Sequence, residues 1–353
     1  MHLTGIDHVE FYVADLEAAR EQFGGRYGFS VVAATDPTDR RSLLLTQGEA
    51  RLVLTAGVGG HSDVDAFIDA HGDGVKTIAL RVPDARQAFA LAVEGGATPL
   101  RSPVTGGGAV AAAVEGLQTM AHAFVERSAE TALLPGFAPV GPGERRPSSP
   151  ALIRGIDHLA ICLPRGTLNA AEEFYGRTLG LQPTFTDYVR LGEQAMDSVV
   201  VADPGRRVTF TLVAPDCEDG QLVDFLSAYG GGGVQHVAFL TDAIAQALPE
   251  FAARGVEFLV IPPQYYDSLP GRLGYTAAQA RALSDIGILA DRDPWGDLLQ
   301  IFTRSTFPRR TFFVELIERR CARSFGSANI KALYEAAENE RRGMLLGARG
   351  VGR

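Results

Sequence analysis

The sequence predicts an α+β fold, mostly antiparallel, with two tandem open β-barrel domains, each built from paired βαβββ modules, and a C-terminal helix capping the second. Three observations lead there. A chain of 353 residues exceeds the roughly 250 at which a single core usually stops growing, so two domains are expected. Phrases recur: Gly5-Ile6-Asp7-His8-Val9 returns as Gly155-Ile156-Asp157-His158-Leu159, and Gly74-Val75-Lys76-Thr77-Ile78-Ala79 returns as Gly233-Val234-Gln235-His236-Val237-Ala238. Between the copies, residues 136–150 read GFAPVGPGERRPSSP, whose Pro, Gly and Ser resist both helix and sheet.

Each element follows from local pattern. The phrases around His8 and His158 alternate apolar and polar residues as a strand does, then pass into segments with helical spacing. The apolar residues are Leu16, Ala19 and Phe23 in one copy, and Leu168, Ala171, Phe174 and Tyr175 in the other. The second pair of phrases again leads into a helix, ending in GGATPL or RGVEFL. Strands paired in this rhythm curl into open barrels wide enough for a metal and a small ligand. The expected domains are 1–140 and 151–353, joined by a linker at 141–150. Over residues 326–342, Ile330, Leu333, Tyr334 and Ala337 share one helical face, which suits a lid on the second barrel.

Composition narrows the function. With 46% hydrophobic residues, each half can bury a core without staples. A formal charge of −9 lacks the clustered Lys and Arg that displace counterions from phosphates, so nucleic acid is not an expected partner. Cys162, Cys217 and Cys321 are odd in number and widely spaced, as reduced thiols in a cytosol would be. The opening MHLTGIDHVEFYVADLEAA has no basic stretch followed by an apolar run, and no apolar stretch approaches the ~20 residues of a membrane span. The expectation is a cytoplasmic enzyme with no membrane partner.

Of seven histidines only His158 and His236 lie beyond the linker, each near the start of a repeated strand, where alternation can turn both inward. Glu315 falls in the apolar run FFVELIE, where an unpaired buried charge costs several kcal/mol unless a divalent cation relieves it. Two imidazoles and one carboxylate on one face of a metal leave about three positions open, the arrangement that lets iron(II) take a chelating substrate and dioxygen together. Ligand type alone also admits manganese or cobalt. In the first half His8 keeps the position of His158 but Thr77 replaces His236, so that half is expected to be metal-free. Glu126 could be set against either Glu315 or Thr303.

The second half resembles, over nearly its full length, the α-keto-acid-dependent branch of the vicinal oxygen chelate superfamily, the family of 4-hydroxyphenylpyruvate dioxygenase and 4-hydroxymandelate synthase. The likeness is carried by GIDHLAICL, QAMDSVVVADP, GGGVQHVAFLTD, LLQIFTRSTFPRRTFFVELIER and SFGSANIKALYEA. The first half resembles the family's inactive barrel more loosely, in YVADLEAA and AHGDGVKTIAL. The resemblance implies iron(II) on His158, His236 and Glu315, with Ser198, Gln221, Gln235 and Gln300 around an aryl-pyruvate and Phe302, Phe313 and Phe325 walling its ring. It also implies dioxygen as co-substrate, oxidative decarboxylation, and a homodimer or tetramer.

Family members diverge after decarboxylation, into ring attack giving homogentisate or benzylic hydroxylation giving hydroxymandelate. The homogentisate-forming type carries Pro-x-Asn where Thr211-Leu212-Val213 stand here, and Asn-Phe where Asn329-Ile330 stand. These departures resemble the hydroxymandelate-forming type, which supplies 4-hydroxyphenylglycine to nonribosomal peptide antibiotics. Ala214 departs from both types, which carry a carboxylate there. Two other readings remain: an extradiol catechol dioxygenase on the same fold, and a non-catalytic ligand-binding protein of the superfamily.

Overall fold

A computed structural model describes residues 1–141, 151–192, 194–305 and 307–350, with side chains in the last helix as far as residue 339. The expected linker lies outside the described residues apart from Gly141.

The first module is β1 (Gly5–Tyr12), α1 (Leu16–Arg20), β2 (Ser30–Thr35), β3 (Arg40–Gln47) and β4 (Ala50–Gly57). The helix expected through Phe23 is shorter than its apolar spacing suggested, because α1 passes into π-helical turns over Glu21–Arg26 around the Gly24-Gly25 pair. Phe23 is still buried. After α2 (Asp63–His71), the second module runs β5 (Gly74–Arg81), α3 (Ala85–Glu94), β6 (Pro99–Gly106), β7 (Ala109–Glu115) and β8 (Ala121–Arg127), and a short β9 (Ala138–Pro139) closes the half.

The second half repeats the plan. It runs β10 (Gly155–Cys162), α4 (Leu168–Leu179), β11 (Gln182–Leu191), β12 (Gln194–Ala202) and β13 (Thr209–Pro215), then α5 (Gln221–Tyr229). Its last module is β14 (Gly233–Leu240), α6 (Ile244–Ala253), the short helices α7 (Pro263–Asp267), α8 (Leu269–Leu273) and α9 (Ala277–Ile286), β15 (Leu289–Arg292), β16 (Asp297–Phe302) and β17 (Phe313–Arg320). A terminal helix, α10 (Ser327–Gly350), continues past the expected end at 342.

The sheet orders are β6-β7-β8-β5-β1-β4-β3-β2-β9 and β11-β12-β13-β10-β14-β17-β16-β15. Every module closes on a parallel pair of its first and last strands (β1/β4, β5/β8, β10/β13, β14/β17), and the two modules of a half join through an antiparallel pair, β1/β5 or β10/β14. The outermost strands do not meet, so both barrels are open, as the repeats predict.

Both joining pairs slip register at matching places. The extra residues are Asp7 and Lys76 in the first half, Asp157 and Gln235 in the second. Successive strand residues face opposite sides, and a bulge relaxes that rule locally, so these slips re-aim side chains beside the barrel interior. The halves also interlock: the Phe11 and Phe312 rings meet edge-on at 5.0 Å, and Arg309 donates to the carbonyls of Asp69 (2.9 Å) and Ala70 (2.7 Å) at the end of α2. Among the described residues no helix is long and apolar enough to cross a membrane.

Candidate metal centre

Strand register alone assembles the site. His158 on β10 pairs with Ala238 on β14, Ala238 with Glu315 on β17, and Glu315 with Phe302 on β16, forming one row across the sheet. The neighbouring row runs Thr211, Ala160, His236, Phe313. Paired residues share a face, so His158, His236 and Glu315 converge on one side of the sheet from three strands. All three are buried, and one ligand atom from each lies within 4.8 Å of the others. Glu315 Oε2 is 3.4 Å from His158 Nε2 and 3.3 Å from His236 Nε2. Adjacent donors on an octahedral ion with bonds near 2.1 Å stand roughly 3 Å apart, so a small contraction would seat a metal.

The charges around the triad also ask for a cation. Asp157, on its bulge, accepts from His158 Nδ1 at 2.8 Å and is held bidentately by Arg319 at 2.7 and 2.8 Å. Arg319 therefore balances Asp157, and the charge of Glu315 remains. Burial alone would raise the Glu315 carboxyl, but the two imidazoles hold it at about 2. Burial alone would lower His158, yet Glu315 and the Asp157 hydrogen bond raise it to about 9, whereas burial wins at His236 and lowers it. A divalent ion between the three side chains would balance the charge of Glu315. The donor set suits iron(II), and the Asp157 contact fixes the His158 tautomer that leaves Nε2 as ligand.

The aromatic residues expected as a ring wall pack on the imidazoles. Phe313 stacks on His236 at 4.8 Å, Phe302 meets it edge-on at 6.3 Å, and Phe325 meets His158 edge-on at 5.0 Å. Ser198 pairs with Val213 across β12 and β13, and Val213 pairs with Cys162, so these line the same face next to the Thr211 row. The Ser198 hydroxyl donates to the Asp187 carbonyl at 3.0 Å. Thr211 Oγ1, Gln221 Nε2 at the start of α5 and His236 Nδ1 are buried without a hydrogen-bond partner among the described residues. Gln235 occupies the second bulge and is half-buried. Gln300, expected at the substrate, has both ends of its amide engaged: Nε2 donates to Glu315 Oε1 and Oε1 accepts from Asn329 Nδ2, each at 2.7 Å. Val213 and Ile330 join one apolar cluster with Cys162, Met196 and Tyr334.

Register also settles the comparison between the halves. His8 pairs with Ala79 and Ala79 with Ala123, so Ala123, not Glu126, occupies the place of Glu315, while Thr77 occupies that of His236. Glu126 matches Glu318: each accepts from the first backbone N–H of a helix, at Ala85 and Ile244 respectively. The first barrel keeps the support, with Asp7 accepting from His8 Nδ1 and from Arg127, without the other two donors. Asp157, Arg319 and Asn329 escaped the sequence reading as site residues. The repeated Asp-His and Glu-Arg dipeptides, 7–8 with 157–158 and 126–127 with 318–319, carried the signal for the first two.

Comparison with known proteins agrees with this geometry. Residues 1–135 match the family described as "Hydroxyphenylpyruvate dioxygenase, HPPD, N-terminal", and residues 155–300 match "Glyoxalase/Bleomycin resistance protein/Dioxygenase superfamily". The chain is 32% identical to a probable 4-hydroxyphenylpyruvate dioxygenase 2 of Aspergillus fumigatus, over 97% of this chain and 95% of that protein. It is 30% identical to the 4-hydroxyphenylpyruvate dioxygenase of Yarrowia lipolytica, over 95% and 92%. Among solved structures, a mutant of 4-hydroxymandelate synthase from Streptomyces coelicolor superposes with a TM-score of 0.88 at 40% identity, covering 97% of this chain and all of that one. Tandem barrels, a buried His-His-Glu group and full-length relatives place the chain in the 4-hydroxyphenylpyruvate dioxygenase family of non-haem iron dioxygenases.

Proposed function

We propose that the enzyme converts 4-hydroxyphenylpyruvate and dioxygen to 4-hydroxymandelate and carbon dioxide, by oxidative decarboxylation and benzylic hydroxylation. Iron(II) held by His158, His236 and Glu315 would supply dioxygen activation and the Lewis acidity that chelates the 2-oxo acid. The chain's own residues do the rest. Phe302, Phe313 and Phe325 exclude water and fix the imidazole planes. Thr211 Oγ1 and Gln221 Nε2, buried without partners among the described residues, are a hydroxyl and an amide donor suited to a polar ligand.

The observation that carries the choice of product is the apolar wall joining Val213 and Ile330 through Cys162, Met196 and Tyr334. With no amide at 213 and a branched side chain at 330, the wall offers the ring no polar anchor at these positions. That favours presenting the benzylic carbon to the metal instead of the ring. The 40% identity to a hydroxymandelate synthase points the same way, whereas the curated relatives named here make the homogentisate-forming activity the second reading.

Tenfold diversion of flux needs only about 1.4 kcal/mol of differential barrier. The double variant Val213→Asn/Ile330→Phe should therefore move a readily measured share of product from hydroxymandelate to homogentisate. An unchanged product ratio in an active variant would refute the role of this wall.

A further inference from the structure

The carboxylate of Glu315 is not held by its strand alone. A buried file of hydrogen bonds runs from it into the terminal helix and beyond. Gln300 Nε2 donates to Glu315 Oε1, Asn329 Nδ2 donates to Gln300 Oε1, Tyr265 Oη donates to Asn329 Oδ1 at 2.5 Å, and the Ala290 N–H donates to Tyr265 Oη at 2.7 Å. Five residues from β17, β16, α10, α7 and β15 take part, and Asn329 has no exposed surface.

The direction of the file is fixed by chemistry. An ionised carboxylate can only accept, so Gln300 must turn its NH2 toward Glu315 and its oxygen toward Asn329. Asn329 must then turn its oxygen toward Tyr265, whose single hydroxyl proton has two acceptors in reach, Asn329 Oδ1 at 2.5 Å and the Ala290 carbonyl at 2.7 Å. Two lone-pair oxygens could not stand 2.5 Å apart without a proton between them, so the shorter contact takes it and completes the series. Each donor polarises the next, and the sum favours ionised Glu315 with Oε1 occupied and Oε2 free between the two imidazoles. The backbone respects the same file: Gly326, at φ 70°, lies so close that a Cβ there would fall 2.9 Å from Gln300 Oε1 and 3.1 Å from Asn329 Nδ2. A second tie runs in parallel, since Arg319, which holds Asp157, also donates to the Ser324 carbonyl just ahead of α10 at 2.7 Å.

We propose that Tyr265 is a positioning residue for the metal-binding carboxylate, acting through Asn329 and Gln300, and that this file couples the seating of α10 to occupancy of the His158-His236-Glu315 centre. The inference rests on the metal reading above. Coupling of this kind is reciprocal: a metal at the centre holds α10 in place, and a seated α10 tightens the metal.

Cobalt(II) alone serves as probe, followed anaerobically in the full-length apo-enzyme by its visible absorption, with His236→Ala as the blank. Loss of a partner behind a metal ligand typically costs about 10–100-fold in affinity, so Tyr265→Phe and Gln300→Ala should each weaken cobalt binding about tenfold. Once Gln300 is gone the file is cut, and adding Tyr265→Phe should weaken binding no further. Asn329→Asp, which removes the donor to Gln300 without changing shape, provides the same reading should Tyr265→Phe fold poorly. Cobalt should also slow amide hydrogen exchange across residues 327–339 in the wild type, and less in Asn329→Asp. Unchanged cobalt affinity in Tyr265→Phe and Asn329→Asp, additive losses in the double variant, or exchange in α10 indifferent to cobalt would overturn the inference and leave the centre intact. Cobalt uptake by the wild type no better than by His236→Ala would overturn the metal reading and the inference with it.

Discussion

Asp7 and Asp157 occupy matching bulges, contact matching histidines and pair with matching arginines, yet only one stands behind a complete triad. Replacing each by Asn separates structural support from metal support. Asp7 accepts from Arg127 at 2.6 and 2.7 Å and from His8 at 2.8 Å; Asp157 accepts from Arg319 at 2.7 and 2.8 Å and from His158 at 2.8 Å. Asparagine keeps the shape and removes the charge, leaving uncompensated a guanidinium that is buried at Arg127 and partly exposed at Arg319. Breaking one side of a buried pair costs about 3–5 kcal/mol. Asp7→Asn should therefore lose about 3 kcal/mol of apo stability in urea unfolding, and Asp157→Asn a smaller amount because water reaches Arg319. Only Asp157→Asn should also weaken divalent-metal binding, about 10–100-fold, because an amide no longer fixes the His158 tautomer with its charge. Asp7→Asn should bind metal as the wild type does. Equal metal affinities in the two variants, or a comparable loss in Asp7→Asn, would refute the assignment of Asp157 to the centre.

Other consequences follow from single contacts. His122 is fully buried against Tyr175 and Phe210 at 5.4 and 5.9 Å, neither ring nitrogen has a side-chain partner among the described residues, and burial lowers it to about 4. The unfolded chain binds this proton below its ordinary 6.5 and the folded chain only below about 4. Stability should therefore fall as pH drops between those values, by on the order of 3 kcal/mol, and His122→Phe should flatten that limb of the unfolding curve. Asp7, by contrast, is held far below the carboxylate range despite burial, chiefly by Arg127 and His8. Its contribution is full above about 3.9 and is lost on further acidification, so Asp7→Asn should flatten the curve only at that lower end. Gly233 leaves no room for a methyl, since a Cβ would meet the Tyr229 ring at 2.4 Å, and that ring is wedged between Phe225 and His71. Gly233→Ala should cost about 1–3 kcal/mol in the denaturation midpoint, and a wild-type midpoint would show that the ring can yield.

Much of this was legible in the sequence because duplication leaves a period behind. The recurrence of Gly-Ile-Asp-His marked the first strand of each half, β1 and β10, and the two histidines of the second half pointed to one barrel. What stayed hidden depends on register and distance. A bulge adds one residue without changing composition, so the turning of Asp157 toward His158 left no trace in alternation. Arg319 meets Asp157 across 162 residues of chain, and Asn329 meets Gln300 across 29, so no local pattern links them. The ambiguity over Glu126 had the same origin: sequence offered Glu315 or Thr303 as its counterpart, and the β5/β8 ladder supports neither, placing Ala123 opposite Ala79 and Glu126 at the position of Glu318. The π-turns after α1 were missed because Leu16, Ala19 and Phe23 remain buried whichever way the helix winds.

The most direct measurement is the product of a single set of turnovers. The apo-enzyme is loaded anaerobically with one equivalent of iron(II), given 4-hydroxyphenylpyruvate and then dioxygen, with carbon dioxide counted and the aromatic product identified by mass and retention time. One carbon dioxide per 4-hydroxymandelate, abolished in His158→Ala, His236→Ala and Glu315→Ala, is the expected result. Homogentisate as the main product would contradict the reading of Thr211, Val213 and Ile330, and turnover that survives loss of the His158, His236 or Glu315 side chain would contradict the proposed centre itself.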